Sequence, residues 1–477
     1  MPRRARHAFT GQRMHNRDLQ EVRVTESKTP GAATNAVEVA AVIDEGPFGG
    51  YQKLVVAATA LLIVLDGADN QLLPNAVPAM MREWNLPRAA FANASAAAPL
   101  GMILGGVLGG IVGDRVGRRA ALFISVMSFA VLTCIIGFVD SILALTAARF
   151  LAGLGLGGAM PNAAALASEF VPRRHRPLAI TLTIVCIPLG GFLAGAVAAQ
   201  VIPSSGWRVL FVAGGVVSIA LAAALVRIVP ESPRFLARRS RHWPQLRATL
   251  RRIGHRMADD VEFVDLAEGD TGRRGSVRDL FAPALRRDTS ALVGAFASCL
   301  LAIWIGFLWI PTMLTDPAVG FLPAEASYAL SLFNVGGVAG AIAGALVIQR
   351  IGSRAALLGI SALAVITAAA MAGMTLDPKR PASAFIMFAI SGGLLNAVQA
   401  TMYALAAHVF PTEIRSTGVG MTVAVGRVGN VLASYVGSWA LSAGGPPLYF
   451  STWAVAMTLV FACLAVVRRH IPRTAAT

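Results

Sequence analysis

The chain has 477 residues, of which 56% are hydrophobic and only 14% charged, with a mean hydropathy of +0.64. Soluble domains carry about 25% charged residues, and between its charge clusters this chain runs in apolar stretches long enough to cross about 30 Å of hydrocarbon. These features exclude a soluble globular domain, the absence of strict alternation excludes a β-barrel, and the net charge of +16 reads as membrane topology rather than nucleic-acid binding because the arginines gather in alternate loops.

Residues 1–50 are polar and Arg-rich without an apolar h-region, so a disordered cytoplasmic tail is expected here and not a cleavable signal. Twelve apolar spans follow, at 52–78, 90–112, 120–138, 142–169, 178–201, 208–229, 290–314, 325–348, 355–375, 383–409, 416–442 and 446–467. The expected fold is an all-α membrane protein of twelve transmembrane helices in two six-helix bundles, over 51–229 and 290–467. A central loop (230–289) divides them, and residues 468–477 form a second tail. Within the loop, Asp259 to Asp270 alternates acids with apolar residues, and Asp279 to Leu285 has the pattern of a short interfacial helix. Arg115, Arg118, Arg119, Arg173, Arg174, Arg176 and the central-loop arginines fall on one side, which puts both termini and the central loop in the cytoplasm. Lysine is confined to Lys28, Lys53 and Lys379, a bias that with abundant alanine points to a GC-rich bacterial genome and so to a bacterial inner membrane.

Span 1 carries the costliest residues. Leu65-Asp66-Gly67-Ala68-Asp69-Asn70 places two carboxylates three residues apart on one helix face. Each costs about 2.5–3.5 kcal/mol near mid-membrane on insertion scales, so both must face a cavity or a cation. Asp69 lies about 14 Å from the non-cytoplasmic end, and Arg149 of span 4 about 10 Å, at 1.5 Å per residue. Arg149 is therefore expected beside Asp69, either as a static ion pair or as the cation that tunes a titrating acid. Burial raises a carboxylate's pKa and a neighbouring arginine lowers it, so a movement altering either makes the acid load and release a proton. The four cysteines, Cys134, Cys186, Cys299 and Cys463, lie scattered in apolar runs without metal-ligand spacing. No nucleophile–base pair or cofactor motif is present, so neither an enzyme nor a resident cofactor or metal is expected.

The two bundles echo each other. Glu169-Phe170-Val171-Pro172 with Arg176 ends span 4, and His408-Val409-Phe410-Pro411 with Arg415 ends span 10 at the same offset. Gly113-Asp114-Arg115-Val116-Gly117-Arg118-Arg119 after span 2 has a degenerate echo in Gln349 to Arg354 after span 8. Parallel repeats of this kind place a binding site between the halves near the midplane.

The Gly113 to Arg119 motif resembles the loop 2–3 motif of the major facilitator superfamily, and Arg149-Phe-Leu-Ala-Gly153-Leu-Gly155 resembles its span 4 motif. Pro230-Glu231-Ser232-Pro233-Arg234 is shared by several of its groups and discriminates poorly. Asp66-Gly67-x-Asp69, Gly155 to Asn162 and Pro411 to Gly420 with Gly426-Arg427-x-Gly429 are similar to the aromatic acid:proton symporter family, a match over essentially residues 50–467. The resemblance implies proton-coupled import of a hydroxybenzoate-like carboxylate by alternating access, with an aromatic carboxylate, protons and the lipid bilayer as partners, no nucleic acid, and a monomeric chain. Asp66, Asp69, Arg149 and Glu169 are then the proton-coupling candidates, with a gate salt bridge as the other reading of Glu169. Arg427, near mid-membrane in span 11, offers a fork that matches a carboxylate. With Asn162, Gln399, Tyr403 and Trp304 it makes the substrate-binding set, and Trp309, Phe333 and Phe388 are further wall candidates. The gate comprises Asp114, Arg115, Arg118, Arg119, Arg415 and His408, His408 with either a structural or a coupling role. Rival readings are transport of another organic anion or a sugar-like solute, drug or metabolite export, and a membrane sensor.

Overall fold

The computed structural model describes residues 36–473, apart from 256, 259–260, 266–276 and 412–413. Thirteen α-helices are found among the described residues: α1 (Val39–Glu45), α2 (Gly50–Trp84), α3 (Arg88–Val116), α4 (Arg118–Ile136), α5 (Ile142–Glu169), α6 (Arg176–Leu225), α7 (Pro233–Ala237), α8 (Trp243–Ile253), α9 (Arg286–Leu314), α10 (Pro323–Ile351), α11 (Ser353–Ala372), α12 (Pro381–Val409) and α13 (Arg415–Val466). Ten of them are long and apolar enough to cross a membrane.

Two of these ten contain two crossings each. α6 runs 50 residues with Gly206 at φ 83°, ψ 167° inside it, and α13 runs 52 residues with Gly445 at φ 60°, ψ −153°. Such backbone geometry is open essentially to glycine alone, since a Cβ there costs about 1–3 kcal/mol. Pro446 and Pro447 then open the next segment, where a missing N–H leaves nothing unbonded. Twelve membrane segments result. Their helices run past the apolar spans at both ends, as α2 does to Trp84. Hydropathy marks the hydrocarbon, whereas the helix continues until its backbone groups find other partners.

In the first half α2 packs on α6, and α3 and α4 pack on α5; in the second, α9 packs on α13 and α10 on α12. The halves meet where α3 touches α13, α6 touches α10 and α2 touches α9. Small residues set these distances, because helices in lipid associate by close packing and not by water exclusion. At the α2–α6 crossing, a Cβ added to Gly190 would fall on the Val64 carbonyl and the Ala68 amide, and one on Gly67 would fall on Ile187 backbone.

Residues 36–49, expected as part of a tail, are folded. β1 (Ala36–Glu38) pairs in parallel with β2 (Glu262–Val264), Ala36 opposite Glu262. Val39, Val42 and Ile43 of α1 bury against Leu236, Leu246, Leu250 and Phe263, so this segment and the central loop share an apolar core. Asp44 holds Arg176 at the start of α6 at 2.5 Å, and Phe48 stacks on His175 at 5.1 Å. Burial pushes the His255 imidazole below its ordinary pKa. The expected interfacial helix is a 3₁₀ turn, Val277–Phe281. Residues 1–35 of the expected N-terminal tail, 474–477 of the C-terminal one, and much of the acid-alternating stretch lie outside the described residues.

The arginine-poor end is drawn together across the halves. Arg88 meets Asp316 at 2.6 Å, Tyr435 donates to Asn93 Oδ1 at 3.1 Å, and Ser331 donates to the Phe192 carbonyl at 3.3 Å.

Gly190→Val is expected to force α2 and α6 apart and to cost about 2–3 kcal/mol, the upper range for overpacking. Thermal unfolding of the detergent-purified variant measures it; an unchanged melting temperature would show that the two backbones do not meet at this point.

Candidate functional site

Asp66 and Asp69 lie in the middle of α2 and are 2% and 3% exposed. Asp69 accepts a hydrogen bond from Thr133 of α4, and its other oxygen stands 3.4 Å from Arg149 Nη1 of α5. Arg149 is itself 3% exposed and its Nε has no partner. The pair lies at the common depth the sequence assigns it, and three helices of the first half converge on it. Asp66 is held differently. Asn70, one turn on, donates Nδ2 to its Oδ1 at 3.1 Å and to its carbonyl at 2.9 Å.

Arg427 belongs to α13 of the second half and reaches the first. Its Nη1 donates to the Met102 carbonyl of α3 at 2.9 Å. Gly106 makes the room: a Cβ there would lie 3.1 Å from that nitrogen and 3.5 Å from the Gly157 carbonyl of α5. Tyr403 of α12 is half-buried. Its ring stands edge-on to Phe296 of α9, with centroids 5.2 Å apart at 77°. Gln399, one turn from Tyr403, is half-buried and makes no hydrogen bond among the described residues. Trp304, also half-buried, packs edge-on to Phe307 at 6.2 Å.

Other expected members lie elsewhere. Asn162 does not face Arg427: its Nδ2 bonds the Gly109 carbonyl at 2.9 Å and the Gly158 carbonyl at 2.8 Å, and its Oδ1 meets Arg118 at 3.5 Å. It fastens α3 to α5 because its amide is already fully engaged. Glu169 stands twenty residues along α5 from Arg149, about 30 Å at 1.5 Å per residue. There it accepts from the Ser232 hydroxyl at the arginine-rich end, away from Asp66 and Asp69. Trp309, which donates to the Ala433 carbonyl at 3.2 Å, Phe333 and Phe388 are fully buried core of the second half.

At the arginine-rich end, Asp114 pairs with Arg118 at 2.6 Å one turn on. Arg119 donates Nη2 to the Val226 carbonyl, and its backbone N–H donates to Glu231 Oε1 at 2.9 Å. Arg115 gives its carbonyl to Arg239 at 2.8 Å. Each of these bonds stays within the first half and the adjoining central loop. In the second half Arg415 donates to the Phe410 carbonyl at 3.4 Å, and His408 stands exposed on the last turn of α12. Sequence reasoning passed over Glu231, whose carboxylate caps the N-terminus of α4, where a negative charge complements the helix dipole. The available signal was an acid just past span 6 facing a helix that starts at a glycine. It also passed over Thr133, a hydroxyl in an apolar run, and the buried amide oxygens of Gln71, Asn75 and Asn334, which have no partner among the described residues.

A sequence model of the Major Facilitator Superfamily matches residues 59–394. A gallate transporter of Pseudomonas putida is 31% identical over 416 residues, covering 87% of this chain and 91% of that protein. The 4-hydroxybenzoate transporter PcaK of Pseudomonas aeruginosa is 30% identical over 413 residues, covering 86% and 91%. Among solved structures, the inward open conformation of the xylose transporter XylE from E. coli superposes with a TM-score of 0.66 at 18% identity, covering 89% of this chain and 98% of that one.

Removing one member of a buried ion pair strands the other, at about 3–5 kcal/mol. Arg149→Met is expected to lose that much stability, and Asp69→Asn in the same background to recover most of it. Thermal unfolding of the single and double variants checks this; equal losses from both changes, simply added, would mean that the two groups do not interact.

Proposed function

From the premise that this chain belongs to the Major Facilitator Superfamily and is a multi-pass membrane transporter, we propose that it imports an aromatic carboxylate of the hydroxybenzoate kind together with protons. One observation carries this reading. Arg427 is a cation at the crossing of the two halves, and its only hydrogen bond among the described residues is to a neutral backbone carbonyl. Among the described residues no carboxylate stands within ion-pair distance of it, and a substrate carboxylate fits its fork. Tyr403 and Phe296 supply an aromatic edge beside it, and Gln399 supplies a free amide for ring substituents. The similarity to transporters of gallate and 4-hydroxybenzoate supports the same class of cargo.

Asp66 and Asp69 are the proton-carrying acids, and the Arg149 pairing of Asp69 is the lever. Movement of α5 relative to α2 changes how strongly Arg149 holds the carboxylate, and with it the acid's hold on a proton. The arginine-rich end faces the cytoplasm, by the bias of positive residues in short loops. The inter-half bonds at the opposite end then describe a conformation closed to the outside. The chain works as a monomer in a bacterial inner membrane. Asp114, Arg115, Arg118, Arg119, Glu169 and Glu231 form the cytoplasmic gate, His408 and Arg415 its counterpart in the second half.

Cells expressing the protein should accumulate radiolabelled 4-hydroxybenzoate faster at pH 6 than at pH 8, and a protonophore should abolish the accumulation. Asp69→Asn should reduce accumulation at least tenfold while purified protein still binds the substrate. Arg427→Ala should remove binding itself. Uptake that ignores pH and the protonophore would sink proton coupling; uptake of xylose or a drug with none of 4-hydroxybenzoate would sink the cargo.

A further inference from the structure

Asn430 stands three residues beyond Arg427 on α13, about 4.5 Å further along the helix axis toward the arginine-poor end. That spacing puts both side chains on one side of the helix. The opposite side carries Val425, Val428, Leu432, Tyr435 and Trp439, which are 39% to 60% exposed and mark the lipid face. On one flank of Asn430, Gly426 and Gly429 pack against Phe296 and Ala297 of α9. On the other, Arg427 reaches the Met102 carbonyl of α3. Asn430 therefore points away from lipid, between α9 and α3, where the two halves cross, and only 5% of it is exposed.

Its amide differs from the others buried in these helices. Asn70, Asn75, Asn162, Asn334 and Asn396 each donate Nδ2 to the carbonyl four residues back, at 2.7 to 2.9 Å. The Asn430 side chain makes no hydrogen bond among the described residues, and its Oδ1 is buried without a partner there. The Ser434 hydroxyl, one turn further on the same side, is fully buried and equally unpartnered. A buried acceptor in this state costs free energy until a donor reaches it.

We propose that Asn430 selects a hydroxylated ring, its Oδ1 accepting a hydrogen bond from a meta or para hydroxyl of the carboxylate held by Arg427. The inference rests on the reading of Arg427 as the substrate's counter-charge and adds to it the group that reads the ring. With the carboxylate on the guanidinium, the ring extends along α13 and brings its far side to Asn430. A phenolic hydroxyl there supplies the missing donor. An unsubstituted ring covers the amide with C–H and leaves it dry and unbonded. An ortho hydroxyl stays beside its own carboxylate, out of reach. Gln399 does not discriminate in this way: it is half-buried, so water bonds its amide when the substituent is missing. A buried polar group rejects the analogue that lacks its partner, whereas a wet one only exchanges partners.

The test measures binding to the purified full-length chain by calorimetry for 4-hydroxybenzoate, benzoate and 4-fluorobenzoate, the last substituted at the same position but without a hydrogen to donate. Wild type should bind 4-hydroxybenzoate about tenfold or more tightly than either analogue. Asn430→Leu should bind all three alike, near the wild-type affinity for benzoate, and Gln399→Ala should keep the preference. A preference that survives in Asn430→Leu, or that is lost in Gln399→Ala instead, overturns the assignment and leaves the cargo reading standing. Loss of benzoate along with 4-hydroxybenzoate in Asn430→Leu of unchanged melting temperature overturns it too. Asn430→Ala repeats the comparison should the larger side chain prevent folding, and equal binding of the three ligands by wild type overturns the assignment without any variant. No binding of any aromatic carboxylate by folded wild-type protein would instead remove the cargo reading, and this inference with it.

Discussion

A carboxylate in hydrocarbon must be paired, protonated or hydrated, and the central architecture of this protein follows from that constraint. Asp69 and Arg149 are both almost fully buried, and neither could remain so without the other. Their meeting requires α2 and α5 to present one face each at one depth, with α4 supplying Thr133 to the carboxylate. Mid-span glycines make such approaches possible elsewhere in the bundle. Gly67 and Gly190 bring α2 and α6 into backbone contact, and Gly106 lets a side chain of one half enter the other. Electrostatics and close packing are therefore one problem here: the charges dictate where helices must touch, and the missing side chains let them.

The same logic separates the two ends. At the arginine-poor end, the ion pair of Arg88 with Asp316 and the hydrogen bond of Tyr435 to Asn93 cross between halves. At the arginine-rich end, the loop motif closes on its own half through Glu231, Val226 and Asn162. A carrier that alternates needs interfaces with two discrete arrangements, and the bonds that cross the halves at the arginine-poor end belong to one of them. The folded segment Ala36–Glu45 adds a tie from the central loop to the start of α6 through Asp44 and Arg176. It thereby links the arginine-rich loops of the first half into one surface.

Much of this was legible in the residue order. Apolar run length determined the number of crossings, the arginine bias their expected direction, and the paired signatures around Pro172 and Pro411 the two-fold repeat. Counting residues from the span ends was enough to put Asp69 and Arg149 at one depth. All of these are one-dimensional properties: hydrophobicity belongs to a residue, and depth in a straight helix is proportional to position. What only the tertiary structure decided depends on how each helix is rotated and which neighbour it meets. Asn162 sits in a motif suggestive of binding, but its face of α5 turns toward α3, and the Gly109 carbonyl of α3 and the Gly158 carbonyl of α5 itself consume its amide. Glu169 lies on the same helix as Arg149 and twenty residues away, so it meets Ser232 at the arginine-rich end and not the paired acids. Glu231 gains its role from the N-terminus of α4, more than a hundred residues earlier in the chain. Arg427 was visible as a costly cation, yet its partner is a backbone carbonyl of the other half, and a carbonyl leaves no mark on a sequence because every residue has one.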